Sequence, residues 1–273
     1  MKKLIAAIFT LCAFAASFAE KEKTAEELAE IFADNDRVPN YSYAVLNIDN
    51  LSPDGTVTEH MVVNEYGGWH GDDLKNLVIE FKTPADKKNM RVLQSQKKGK
   101  NDDRWIYTPS LRTVRRIPMS ERYKSFAGEY TYNDMTVREP WEDKNEMLET
   151  NVSLTINGRT YTCYKMKSSP YKRSEVEYGY RVTFFDKETY LPVRIEYYDK
   201  KDSKKMTKLY EITQVEWIKG KTGIRYPLRR ENILTNLITG RKTRIRVVDF
   251  EFDDPISDSY FTQSWLQTGK VKK

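Results

Sequence analysis

The chain has 273 residues, 46 Lys and Arg against 40 Asp and Glu, and a net charge of +6. The two signs are interspersed, so this mild excess makes no basic track for nucleic acid. Two histidines and two cysteines leave little material for metal or nucleophilic chemistry. The length suits one large domain or two small ones and is ample for a buried core.

The first residues have the three parts of a secretory leader. Lys2 and Lys3 are followed by an apolar run, Leu4 to Ala16, and Ser17-Phe18-Ala19 supplies small residues for cleavage. The run is shorter than the ~20 apolar residues that a membrane-spanning helix needs. Residues 1–19 are therefore expected to be removed, placing a mature chain from Glu20 in the periplasm. Cys12 is not expected to be a lipidation site, because the bulky Leu11 precedes it. Without the leader, 44 basic residues face 40 acidic ones, about +4, which leaves room for peripheral contact with an anionic membrane. Cys163 is then the only cysteine, so no internal disulfide forms.

A helix is expected from Thr24, which has capping-box spacing to Glu27; Ala25, Leu28, Ala29 and Phe32 share one face, and Asn35-Asp36 ends it. Strands and turns follow. Tyr41 to Asp49 alternates, and Ser52-Pro53-Asp54-Gly55 turns into Thr56 to Tyr66. Asn76 to Lys82, Arg91 to Gln96, Arg104 to Thr108 and Thr113 to Ile117 continue the pattern. After a break come Val152 to Ile156, the Asn157-Gly158 hairpin turn, and Thr160 to Lys167. Tyr178 to Phe185, Leu191 to Tyr198, Lys208 to Trp217, Arg229 to Leu234 and Thr243 to Phe252 complete the set. Roughly eleven to thirteen strands joined in this way form one large twisted antiparallel sheet that curls. Met119 to Leu148 lacks alternation but holds Phe126, Tyr130, Tyr132, Met135 and Trp141. Such a segment must cover apolar surface, so it is expected to be a lid on the concave face. No linker or repeat divides the chain, so residues 20–273 are expected to form one domain.

Catalytic signals are weak. Cys163 lies in an alternating run and reads as a core residue. His60 and His70 read as surface residues without metal-ligand neighbours, and no Gly-x-Ser-x-Gly elbow is present. Gly67, Gly68 and Gly71 lack the Lys-Ser/Thr of a phosphate loop and read as a turn. Asp102-Asp103 and Asp253-Asp254 read as solvated turn carboxylates. No catalytic residue, metal or cofactor is expected.

The stretch from Arg104 to Ile117 admits two readings. Its arginines lie on a wet face, or its aromatic face lines a cavity while Arg112, Arg115 and Arg116 at the rim hold acidic head groups or meet a membrane. Together with Ser125-Phe126-Ala127-Gly128 and Tyr130 to Met135, this stretch resembles the outer-membrane lipoprotein-sorting protein family, periplasmic relatives of the carrier LolA. The likeness extends from Phe81-Lys82-Thr83-Pro84 to Tyr197-Tyr198-Asp199, Thr243-Arg244-Ile245, Phe261 and Leu266. It departs at Gly128-Glu129-Tyr130, where Gly-Ser-Asp-Phe is usual. The resemblance implies an α+β fold, an unclosed antiparallel half-barrel of about 11 strands with helices or a lid in its hollow. It also implies a carrier of lipoprotein acyl chains or lipid that works toward the outer membrane. The alternative is an accessory subunit of an RND/MMPL-type inner-membrane exporter without lipid cargo. Cavity-lining candidates on the sheet and lid are Leu93, Trp105, Tyr107, Phe126, Tyr132 and Met135.

Overall fold

The computed structural model describes residues 21–37, 39–69, 74–97, 99–135 and 137–271. The expected leader with Cys12, together with His70 and Gly71, lies outside the described residues. Helix α1 spans Ala25–Arg37. Its first turn is closed by the anticipated capping box: the Thr24 N–H donates to Glu27 Oε2 at 2.7 Å, and the Glu27 N–H donates to Thr24 Oγ1 at 3.1 Å.

Six strands follow as a meander: β1 Tyr41–Leu51, β2 Val57–Trp69, β3 Lys75–Thr83, β4 Arg91–Lys97, β5 Lys100–Thr108 and β6 Thr113–Arg116. A small hairpin, β7 Ser125–Ala127 and β8 Tyr130–Thr131, stands apart. A second meander comprises β9 Asp143–Ile156, β10 Arg159–Pro170, β11 Tyr180–Asp186, β12 Pro192–Tyr198, β13 Met206–Lys219, β14 Arg225–Asn236 and β15 Lys242–Phe252. The short helix α2, Gln263–Thr268, comes last.

The two meanders join where β1 pairs with β15, giving one antiparallel sheet of 13 strands with β6 and β9 as unpaired edges. Among the described residues the count is therefore at the top of the range read from alternation and above the roughly 11 of the expected half-barrel. Alternation marks many of the strands, because these bury one face and wet the other. In β1 the residues Ser42, Ala44, Leu46, Ile48 and Asn50 are buried while the residues between them are half-exposed.

This topology dictates what fills the hollow. β6 and β9 are consecutive in the large sheet yet lie at its opposite edges, so residues 117–142 have to cross between them. The crossing segment is built from the β7–β8 hairpin and one-turn 3-10 helices at Met119–Glu121, Tyr132–Met135 and Pro140–Glu142. The resemblance implies helices or a lid in the hollow; among the described residues α1 is the one long helix that borders it, through Phe32. The lid also ends earlier than expected, because Asp143 to Leu148 already belongs to β9. That edge strand has little apolar pattern, and Leu148 is exposed.

Two further departures have plain causes. Gly67 and Gly68 sit inside β2 and not in a turn, since a Cβ on Gly68 would strike the Phe261 ring. Asp102 and Asp103 sit in β5, where both hold arginines, whereas Asp253 does stand in a turn at positive φ. No described helix is long and apolar enough to cross a membrane.

Candidate functional site

The curled sheet leaves a cavity of about 380 Å³, a size typical of small-ligand sites. Its central wall is aliphatic. Ala44, Leu46 and Ile48 of β1, Val63 of β2, Ile79 of β3 and Val247 of β15 face it. Beside them on the same face, Met61 and Phe81 are fully buried and complete the packing. A second stretch of wall carries Tyr178, Tyr197 and Tyr210. Burial raises all three phenols, Tyr178 to about 12, so they remain neutral donors at physiological pH.

The crossing segment forms the cover. Phe126, Tyr130 and Met135 face the cavity, and Phe126 meets Phe81 edge-on at 5.5 Å between ring centroids. The cover is latched to the sheet by polar contacts. The Glu129 N–H donates to Thr243 Oγ1 at 2.9 Å, Asn236 Nδ2 donates to Glu129 Oε2 at 2.9 Å, and Lys208 Nζ meets Asp134 at 2.8 Å. The hairpin tip is Gly128, at φ 59°, pressed so closely on Asn50 and Thr243 that any Cβ would overlap them.

One end of the cavity is charged. Arg104 Nε donates to Asp102 at 2.9 Å, and Arg122 of the crossing segment bonds the same carboxylate. Arg138 Nε and Arg181 Nη2 bracket Asp143 at 3.0 and 3.1 Å. Glu142, 3.5 Å from Arg138, lies between the two brackets. Burial raises its carboxyl above the ordinary value, with Asp143 and Asp102 adding to the rise and Arg138 opposing it. Burial also pulls the Arg104 guanidinium below its usual value against the attraction of Asp102.

Of the residues expected to line the cavity, Phe126 and Met135 do so. Tyr132 seats the segment on Val92, Ile106 and Ile117 of the sheet's inner face and is buried there. Leu93, Trp105 and Tyr107 are corrected: they point to the outer face, where Leu93 and Val78 pack under Trp265 and Leu266. Their neighbours Gln94 and Arg104 face the cavity instead. Alternation gives two faces, and here both are apolar because the C-terminal segment covers the outside. Arg91 fixes that cover, donating to the Leu266 carbonyl at 3.0 Å and lying 5.2 Å from the Trp265 ring. The rim arginines are also away from the cavity. Arg112 is an exposed turn residue at φ 51°, Arg115 pairs with Glu121 at 3.0 Å, and Arg116 pairs with Asp103.

Sequence reasoning passed over Arg122 and Arg138, because a lone arginine outside a strand pattern carries no mark of burial, and over Arg181, which shares strand parity with the buried Phe185. Arg104 had a usable signal, since it shares strand parity with the apolar Ile106. Cys163 is a core thiol, raised to about 12 by burial and by Asp186. His60 is exposed, with Nδ1 2.6 Å from Asp49.

A family model described as "Uncharacterized protein"-like matches residues 73–268. The chain belongs to that family. No curated protein matches it. Solved structures share its architecture. A DUF1329 family protein from Desulfovibrio piger is 25% identical, with 89% of this chain and 97% of that one covered at a TM-score of 0.76. An outer membrane lipoprotein-sorting protein domain from Vibrio parahaemolyticus is 20% identical, covering 89% and 98% at 0.75. A LolA superfamily protein from Nitrosomonas europaea is 18% identical, covering 89% and 99% at 0.64. The half-barrel is therefore the LolA-type fold, and the resemblance first read from Arg104 to Met135 holds.

Proposed function

We propose that this protein is an exported carrier. It holds the acyl chains of a lipoprotein or lipid within its half-barrel and ferries them through the periplasm toward the outer membrane, without chemistry of its own. The observation that carries this reading is an aliphatic cavity in the concave face of a LolA-type sheet, roofed by a latched segment. Exposed hydrocarbon costs roughly 0.8 kcal/mol per CH₂ in water, so sheltering a sixteen-carbon chain is worth on the order of 10 kcal/mol. The wall of Leu46, Ile48, Val63 and Ile79 supplies that shelter, and Phe126 and Met135 adapt to the shape of the guest. The pattern of Lys2 to Ala19 supports export, and folding of residues 20–273 as one unit is part of the same reading.

Loading requires the cover to move. The Glu129, Asp134 and Gly128 contacts set the closed position, and a receptor that competes for them would open it. The carrier reading is tested by native mass spectrometry of protein purified from its own periplasm. Bound species of lipid mass are expected, with acyl chains recovered on extraction. Uniformly empty protein, which also fails to take up lipid in vitro, would end the carrier reading.

A further inference from the structure

A cavity for hydrocarbon alone has no use for buried guanidiniums. Arg104, Arg122 and Arg181 are 3, 5 and 8% exposed, and all face the cavity beside an aliphatic wall. Removing such ions from water carries a desolvation cost that direct pairing only partly offsets. The pairing is moreover incomplete. The Nε atoms of Arg122 and Arg181 are buried without a partner, and so is the Oε1 acceptor of Gln94 on the same wall. The two aspartates of the cluster are each shared: Asp102 serves Arg104 and Arg122, and Asp143 serves Arg138 and Arg181. Burial favours the neutral form of Glu142, which weakens the remaining counter-charge.

Resting on the carrier reading, we infer that the cargo is an anionic amphiphile whose phosphate or carboxylate head is received by Arg104, Arg122 and Arg181 while its chains lie along the aliphatic wall. The cavity is divided as such a molecule is divided. Guanidinium forks match phosphate and carboxylate oxygens two at a time, which an ammonium does not. Gln94 Oε1 is placed to accept from a head-group hydroxyl. Arg122 belongs to the crossing segment, so a head group held there is also tied to the cover.

The test is equilibrium binding to the full mature protein of phosphatidylglycerol, of diacylglycerol with the same chains, and of inorganic phosphate alone. Phosphatidylglycerol is expected to bind at least tenfold more tightly than diacylglycerol. In Arg122→Gln and Arg181→Gln, each checked for an unchanged far-UV spectrum, that preference is expected to shrink severalfold while diacylglycerol affinity stays the same. Equal affinity of the two lipids in the unmodified protein, which needs no variant, would overturn the head-group assignment and leave the carrier reading standing. Binding of neither lipid would overturn both. Phosphate binding that lipid does not displace would make the arginines a free-anion site and also overturn the assignment.

Discussion

The wall around β1 and β15 and the end where the crossing segment meets β5, β9 and β11 belong to one cavity but obey different rules. At the first, Ala44, Leu46, Ile48 and Val247 need no particular partner, and packing alone holds them. At the second, Asp102 and Asp143 are each shared between two arginines, so each member depends on others. Aliphatic wall degrades gradually on truncation, whereas a buried charge network fails sharply when one member is removed.

The sharpest break comes from Asp143→Ala, which takes the carboxylate from buried Arg181 and leaves Arg138 with the more distant Glu142. A loss of about 3–5 kcal/mol in urea denaturation is expected. A loss under about 1 kcal/mol would mean that the network is solvated. The aliphatic side is probed by a pair. Phe81→Ala, in the solid packing beside the cavity, is expected to cost about 3–5 kcal/mol, and Ile48→Ala, which borders space already empty, about 2 kcal/mol. Equal costs would indicate that Ile48 faces solid packing and not a cavity.

These contrasts also explain how far the sequence could be read. Period-two alternation exposed the sheet, as in Ser42, Ala44, Leu46 and Ile48, because one face of most strands is wet. Parity failed at Leu93, Trp105 and Tyr107, where the outside is covered by residues more than 150 positions away in sequence. The covering helix α2 did leave a trace: Thr262 caps it, and Gly269, at φ 65°, ends it. The β7–β8 hairpin left almost none, since two short strands have no period. The arginine brackets form only in three dimensions, as Asp102 and Arg122 come together across the hollow.

A smaller effect separates cover from wall. Gly128→Ala places a Cβ against Asn50 and Thr243 at a positive φ, and a loss of about 1–3 kcal/mol is expected. Hydrogen exchange is expected to rise in residues 119–142 and to stay unchanged in β1. Uniformly increased exchange would show that the cover and the sheet open as one unit.

The smallest effect concerns pH. The Glu142 proton is held more tightly in the folded state than in the unfolded chain, so the native state binds the excess proton and this group's contribution falls as pH rises. Glu142→Gln removes that dependence. Its stability relative to the unmodified protein is expected to improve as pH rises above the ordinary glutamate range. An unchanged difference over that rise would place Glu142 in contact with water.

Filling the cavity addresses the carrier account most directly. Ala44→Phe places a ring in the empty space at the centre of the aliphatic wall. Lipid uptake by the purified protein, measured by native mass spectrometry, is expected to fall at least tenfold while the thermal midpoint is kept. Undiminished lipid uptake in a folded Ala44→Phe protein would place the cargo elsewhere and contradict the account.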